Sequence, residues 1–188
     1  DLATHVQRSL LTAPFKEEKI QIEVSYLPSF NLAGDMYYWH KISDNRYAIV
    51  LLDMMGHGIS ASLVCMFISS VLRESIKELN RYMLLLHNEK IGIPYYFTAI
   101  YMVVDTEKKT IEYVNAGHPP GFALVDDTKM VPLDKGSCAV GFFDEIEVKK
   151  EVITYEKDIQ IILYTDGVLE AMDPCEIESE KKLEHLAS

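Results

Sequence analysis

Hydrophobic positions change period several times along this chain, and each change predicts an element. In Asp1–Leu11, Leu2, Val6 and Leu10 fall on one helical face with Gln7 and Arg8 off it. Thr12-Ala13-Pro14 ends that pattern, because proline disfavours helix at the residue before it. From Lys19 the period becomes two: Ile20, Ile22, Val24 and Tyr26 alternate with polar residues, as in a half-buried strand. Met36–Trp39 and Arg46–Leu52 read as two further strands around the turn-rich Ser43-Asp44-Asn45. Tyr47–Leu52 is apolar throughout, which predicts a place in the middle of a sheet, covered on both faces. After Gly58 the helical period returns: Ala61, Leu63, Val64, Phe67, Ile68, Val71 and Leu72 mark the broad apolar face of a long helix. Arg73-Glu74 and Lys77-Glu78 give it a solvated side.

Leu79–Gly92 reads as helix then loop. Tyr95–Val104 predicts a strand, Asp105–Lys109 a polar turn, and Thr110–Val114 its hairpin partner. Gly121–Val125 and Val148–Tyr155 read as shorter strands. Ile159–Tyr164 reads as another buried strand, ending in Thr165-Asp166-Gly167, and the tail from Glu176 is charged and helix-prone. Many strands and one long helix, without regular βαβ alternation, predict an α+β fold built on antiparallel sheets.

Composition narrows the function. The 188 residues suit one domain with an appended helix. With 48% hydrophobic and 25% charged residues the chain is not a disordered one. A net charge of −11 would repel a phosphate backbone, so no nucleic-acid partner is expected. The longest apolar run, Ala61–Leu72, is interrupted by Ser62, Ser69 and Ser70 and is too short for membrane insertion. Cys65, Cys138 and Cys175 are odd in number and widely spaced, which argues against disulfides and a zinc cluster and points to a reducing cytoplasm. The chain opens at Asp1 without a signal-peptide pattern and is expected to be a piece of a longer protein.

Three aspartates stand at strand ends rather than on solvated helix faces. Asp53 follows the most apolar strand, Asp166 follows Ile161–Tyr164, and Asp35 opens the strand after Gly34. Burying an ionised carboxylate at such a place is costly unless a cation or several donors meet it. Glycine beside each one would let an ion approach closely. Converging hard oxygen ligands suit Mg2+ or Mn2+ rather than zinc. The competing reading is that each Asp-Gly pair is an ordinary turn. Gly56-His57-Gly58 lacks both the Lys-Ser/Thr of a P-loop and the third glycine of a dinucleotide fingerprint.

Five strings in order now carry a resemblance: LAGDMYYW, LLDMMGHGISASL, YFTAIYMVVD, YVNAGHPPGF and ILYTDGVLEAMD. Together they resemble the PPM-type metal-dependent serine/threonine protein phosphatases, in their bacterial sporulation and stress-response (SpoIIE/RsbU-like) branch. The opening DLATHVQRSLL is similar to the helix that precedes the catalytic domain in that branch. The resemblance implies two antiparallel β-sheets in a sandwich flanked by helices (α-β-β-α). It divides the chain into a connector helix over 1–14, from an upstream domain, and a phosphatase domain over 15–188.

The resemblance also implies a two-metal site (Mn2+ or Mg2+) that hydrolyses phosphoserine or phosphothreonine. Asp53 would bridge both ions, the Met54 carbonyl would ligate the second, Asp166 the first, and Asp35 would be a nearby ligand. His57 matches the metal-turn histidine to which a general-acid role belongs; its alternative is to cap the helix that follows. His118 in Asn115–Pro120 is expected to fix a turn-rich loop, and Thr98 to pack in a strand. The implied substrate is a phosphorylated anti-sigma-factor antagonist, and the opening helix is expected to meet an upstream sensor domain or a second copy of the chain. Two departures stand out. The stretch before Tyr95 is short, and the chain stops at Ser188 without the further strand whose Asp pair completes the family's site. The first ion is therefore expected to lose one anionic ligand unless another residue, such as Asp173, supplies it. The rival to catalysis is a degenerate domain that binds a phosphoprotein without turning it over.

Overall fold

A computed structural model of the chain describes residues 2–28, 32–55, 96–143 and 145–172. The long helix expected from residue 61, the ambiguous stretch over 79–92, the charged tail, His57 and Asp173 lie outside these residues. Helix α1 (Leu2–Ser9) is followed by a small hairpin, β1 (Phe15–Glu17) with β2 (Ile20–Ile22). The alternation through Tyr26 predicts a longer strand than β2. A strand lasts only as long as its ladder, and β1 offers three partners, Ile22 facing Phe15 at one end.

The main sheet contains β3 (Asp35–Ser43), β4 (Arg46–Met54), β5 (Phe97–Asp105), β6 (Thr110–Ala116) and β10 (Glu151–Thr154) in the order β10-β6-β5-β4-β3. All these pairings are antiparallel, and the two-residue β9 (Gly136–Ser137) adds a parallel pairing to β6. β4 lies between β3 and β5, as its unbroken apolar run predicts. Ala48, Val50, Leu52 and Met54 are buried on one of its faces, and Tyr47, Ile49 and Leu51 pack into the core on the other.

A second sheet has the order β11-β7-β8, from β7 (Phe122–Val125), β8 (Lys129–Pro132) and β11 (Ile159–Ile162). The β7–β8 turn uses positive φ at both Asp126 (51°) and Asp127 (55°), the backbone twist that a tight hairpin needs. β11 departs from expectation. It is a half-buried edge strand, and it stops at Ile162, which pairs with the first residue of β7. Helix α2 (Asp166–Met172) follows.

The two sheets share one core. Tyr47, Ile100, Met102, Val104, Ile111 and Tyr113 from the main sheet are buried against Ala123 and Val125 of the second, with Leu133 and Ile153. Burying these faces against each other is the dominant favourable contribution to the fold. Among the described residues no helix is long and apolar enough to cross a membrane.

The α1 helix is held by its polar side. Gln7 is buried, its Nε2 donates to the Ala33 carbonyl (2.7 Å), and its Oε1 accepts from the Ala33 amide (3.1 Å). Leu2, Val6 and Leu10 remain exposed.

Candidate functional site

The antiparallel register sets Asp35 of β3 directly opposite Asp53 of β4, and Asp53 opposite Thr98 of β5. Directly opposed residues share a face of a sheet. The same registers carry Tyr47, Leu51, Ile100 and Met102 toward the second sheet, so the row Asp35–Asp53–Thr98 faces that way too. From the other layer, Leu163-Tyr164-Thr165 lead out of β11 to Asp166, the first residue of α2. The Thr165 hydroxyl donates to Asp35 Oδ2 at 3.0 Å. Asp35 and Asp166 both lie close enough to Asp53 to act on its carboxyl. All three aspartates thus come together at one end of the two layers, with Asp53 in the middle.

Two details differ from the sequence reading. Asp35 and Asp53 are half-buried, whereas Asp166 is exposed and opens a helix rather than closing a core strand. A Cβ placed at Gly167 would meet nothing within 4 Å, so packing does not demand glycine there. Beside Asp53, Met54 is buried; its amide donates to the Gly34 carbonyl (3.2 Å), and the Met55 amide to the Tyr96 carbonyl (3.0 Å). These bonds fix the end of β4.

The electrostatics follow from this crowding. Burial, then the charges of Asp35 and Asp166, push Asp53 up to about 8. Burial likewise raises Asp35, against the opposing effect of the Thr165 hydroxyl and of Asp53. Among the described residues no lysine or arginine forms an ion pair with any of the three. A cluster of this kind needs either a proton or a cation. Its donors are hard oxygens, the set that suits Mg2+ or Mn2+. Among the described residues no three His, Cys, Asp or Glu side chains are gathered closely enough to hold a metal ion as they stand.

Above the aspartates lies a buried imidazole. The Asn115 side chain fixes the loop: its Nδ2 donates to the carbonyls of His118 (2.9 Å) and Leu133 (2.8 Å), and its Oδ1 accepts from the His118 amide (2.7 Å). His118 Nε2 lies 3.0 Å from the Tyr164 carbonyl. A carbonyl only accepts, so Nε2 carries the hydrogen and Nδ1 accepts from the Thr98 hydroxyl at 2.9 Å. Burial pulls His118 down to about 4, leaving the ring neutral. Thr98 is therefore not merely a packing residue. Its partner sits in a loop, twenty residues along the chain, that no spacing rule connects to β5.

Comparison with known proteins adds an independent line. The model of the family described as Stage II sporulation protein E (SpoIIE) matches residues 43–188. The phosphoserine phosphatase RsbP of Bacillus subtilis (strain 168) is 35% identical over 185 residues, covering 93% of this chain and 46% of RsbP. The chain spans about half the length of the curated relatives it matches. Among solved structures, the SiaA-PP2C domain of Pseudomonas aeruginosa superposes with a TM-score of 0.68 at 17% identity, over 89% of this chain and 70% of that one. RsbX in complex with magnesium does so with a TM-score of 0.68 at 18% identity, over 92% of this chain and 90% of that one.

Proposed function

The chain belongs to the SpoIIE family of PP2C-type phosphatase domains, and from that premise we propose that it hydrolyses phosphoserine or phosphothreonine on a regulatory protein. The reading places two divalent cations, Mn2+ or Mg2+, on Asp35, Asp53, Asp166 and the Met54 carbonyl. When bound, such ions neutralise the phosphate dianion and supply an activated water as the nucleophile. The chain's own residues do the rest. Asp53 gives up its proton and presents its carboxylate between those of Asp35 and Asp166. The Thr165 hydroxyl holds Asp35 Oδ2, and the bonds at Met54 and Met55 keep the end of β4 in place. His57, outside the described residues, donates a proton to the leaving serine or threonine oxygen.

The observation that carries the reading is the pairing of Asp35 with Asp53 on one sheet while Thr165, the neighbour of Asp166, bonds Asp35 from the facing layer. The substrate is a phosphorylated anti-sigma-factor antagonist in a partner-switching pathway of the cytoplasm. The name of RsbP, a phosphoserine phosphatase, supports a phosphoserine substrate, and the magnesium complex of RsbX supports a divalent cation. Helices cover the outer faces of the two sheets in the complete α-β-β-α fold. Residues 1–14 connect the domain over 15–188 to an upstream sensor domain or a second copy of the chain; the exposed Leu2, Val6 and Leu10 support that role.

The test is hydrolysis of p-nitrophenyl phosphate and of a phosphoserine protein, with Mn2+, Mg2+ or EDTA present. Turnover that needs the cation and falls at least about 10²-fold in Asp53→Asn supports the reading, that being the scale of losing one principal electrostatic stabiliser. Phosphoprotein binding without turnover at any metal concentration overturns it in favour of a non-catalytic domain.

A further inference from the structure

We propose that Thr98 and His118 are positioning residues of the metal centre: the imidazole ties β5, beside Asp53, to the segment that delivers Asp166, and so sets the spacing of carboxylates that come from two different sheets. The inference rests on the metal-centre reading above and adds to it what holds the centre together.

The three aspartates are not equally secured. Asp35 and Asp53 stand in a continuous ladder. Asp166 does not, because β11 ends at Ile162 and the chain reaches Asp166 through residues outside any strand. Among the hydrogen bonds of that segment, two lead toward the Asp53 side of the site. One, from Thr165 to Asp35, ends on a carboxylate that is itself a candidate ligand. The other, from His118 Nε2 to the Tyr164 carbonyl, uses none of the candidate ligands, so a cation would not compete for it.

His118 is suited to the task because its own backbone cannot shift. Asn115 holds both its amide and its carbonyl. Gly117 before it adopts φ +67°, its amide donates to the Ser137 carbonyl (3.0 Å), and a Cβ there would lie 2.6 Å from the Ala139 amide nitrogen. Tyr164 returns a second bond to the same loop, its hydroxyl donating to the Pro120 carbonyl at 2.8 Å. The neutral ring has one donor and one acceptor, and both are used. Thr98, whose hydroxyl donates to Nδ1, is the cross-strand neighbour of Asp53. A displacement of the ring therefore moves the Asp166 segment relative to Asp53. Residues one step behind metal ligands govern affinity through this kind of orientation.

The experiment compares Thr98→Val, which keeps the shape and removes the hydroxyl, with Thr98→Ser, which keeps the hydroxyl. Mn2+ affinity is read by titration calorimetry on the whole chain, and metal-free stability by urea unfolding in EDTA. Thr98→Val is expected to weaken Mn2+ binding about tenfold, the lower end of the effect of losing a ligand-orienting partner. Thr98→Ser should stay within about twofold of the parent, since the bond to Nδ1 persists. Parent-like Mn2+ affinity in Thr98→Val, with or without lost stability, would make the bond purely structural and overturn the proposal. So would an equal loss in both variants. A parent chain that binds no Mn2+ refutes the metal centre itself, a result distinct from the other two.

Discussion

Replacing Asp53 by asparagine keeps the shape of the side chain and removes the charge that burial and two neighbouring carboxylates penalise. In the metal-free protein Asp53 titrates near 8 when folded, against about 3.9 in an unfolded chain. A carboxyl raised on folding contributes stability that is complete below its unfolded value and is lost as pH rises through its folded value. The parent chain therefore loses this contribution between about pH 4 and pH 8. Four pK units at 1.36 kcal/mol each set a ceiling near 5 kcal/mol; water reaches this half-buried group and screens it to on the order of 2 kcal/mol. Asparagine does not titrate. In EDTA, Asp53→Asn should exceed the parent by on the order of 2 kcal/mol at pH 9 and by less at pH 5, the gap closing only below about pH 4. Manganese should reverse the order, because binding to the folded state adds about 2.7 kcal/mol at a hundredfold excess over Kd, to the parent alone. Urea unfolding followed by the fluorescence of Trp39, at both pH values with EDTA or manganese, measures all four differences. A variant less stable than the parent at pH 9 in EDTA, or a gap independent of pH, would refute the reasoning.

The same proton governs metal binding: Mn2+ must displace it from Asp53, so apparent affinity should rise with pH and level off above about 8. Calorimetry in two buffers of different ionisation enthalpy should show proton release at pH 6.5 and almost none at pH 9; equal release at both would contradict this. His118 acts with the opposite sign, since its folded value near 4 lies below the ordinary 6.5. Its contribution is present above pH 6.5 and lost as pH falls toward 4, worth roughly 3 kcal/mol. The Asp53→Asn background removes the opposing contribution of Asp53, and an unfolding free energy there that is unchanged by His118→Gln between pH 7 and pH 4 would count against it. Finally, Val6→Glu with Leu10→Glu should alter self-association or regulation, read by sedimentation, while leaving Mn2+ affinity unchanged. Unaltered sedimentation and regulation in the full-length protein would remove α1 as a control element.

Periodicity made the strands legible. The apolar run Tyr47–Leu52 marks the centre of a sheet, and the polar turn over Asp105–Lys109 marks the β5–β6 hairpin, because both express burial that a single strand carries in its own composition. Short strands that borrow their order from neighbours were not legible. Gly136-Ser137 becomes β9 only because it pairs with Asn115-Ala116, and Lys129–Pro132 becomes β8 only because Asp126 and Asp127 turn the chain back. At the site, Asp35, Asp53 and Asp166 could be nominated as carboxylates at strand ends. The pairing of Asp35 with Asp53 depends on a register that shifts between Lys41 and Ser43, and the meeting with Asp166 depends on how two sheets face each other. The Thr98–His118–Tyr164 link was hidden for the same reason. Sequence offers a threonine in a strand and a histidine in a loop, and only the packing of layers brings their polar atoms within reach.

The central claim is that carboxylates from two sheets form one divalent-cation centre. A crystal structure of the chain grown in manganese, with anomalous difference density collected for that ion, tests it most directly. The account predicts manganese within about 2.5 Å of carboxylate oxygens of both Asp53 and Asp166, with the Asp53–Asp35 contact opened to admit it. Saturating manganese that binds elsewhere, or leaves Asp53 and Asp166 without the ion between them, would contradict it.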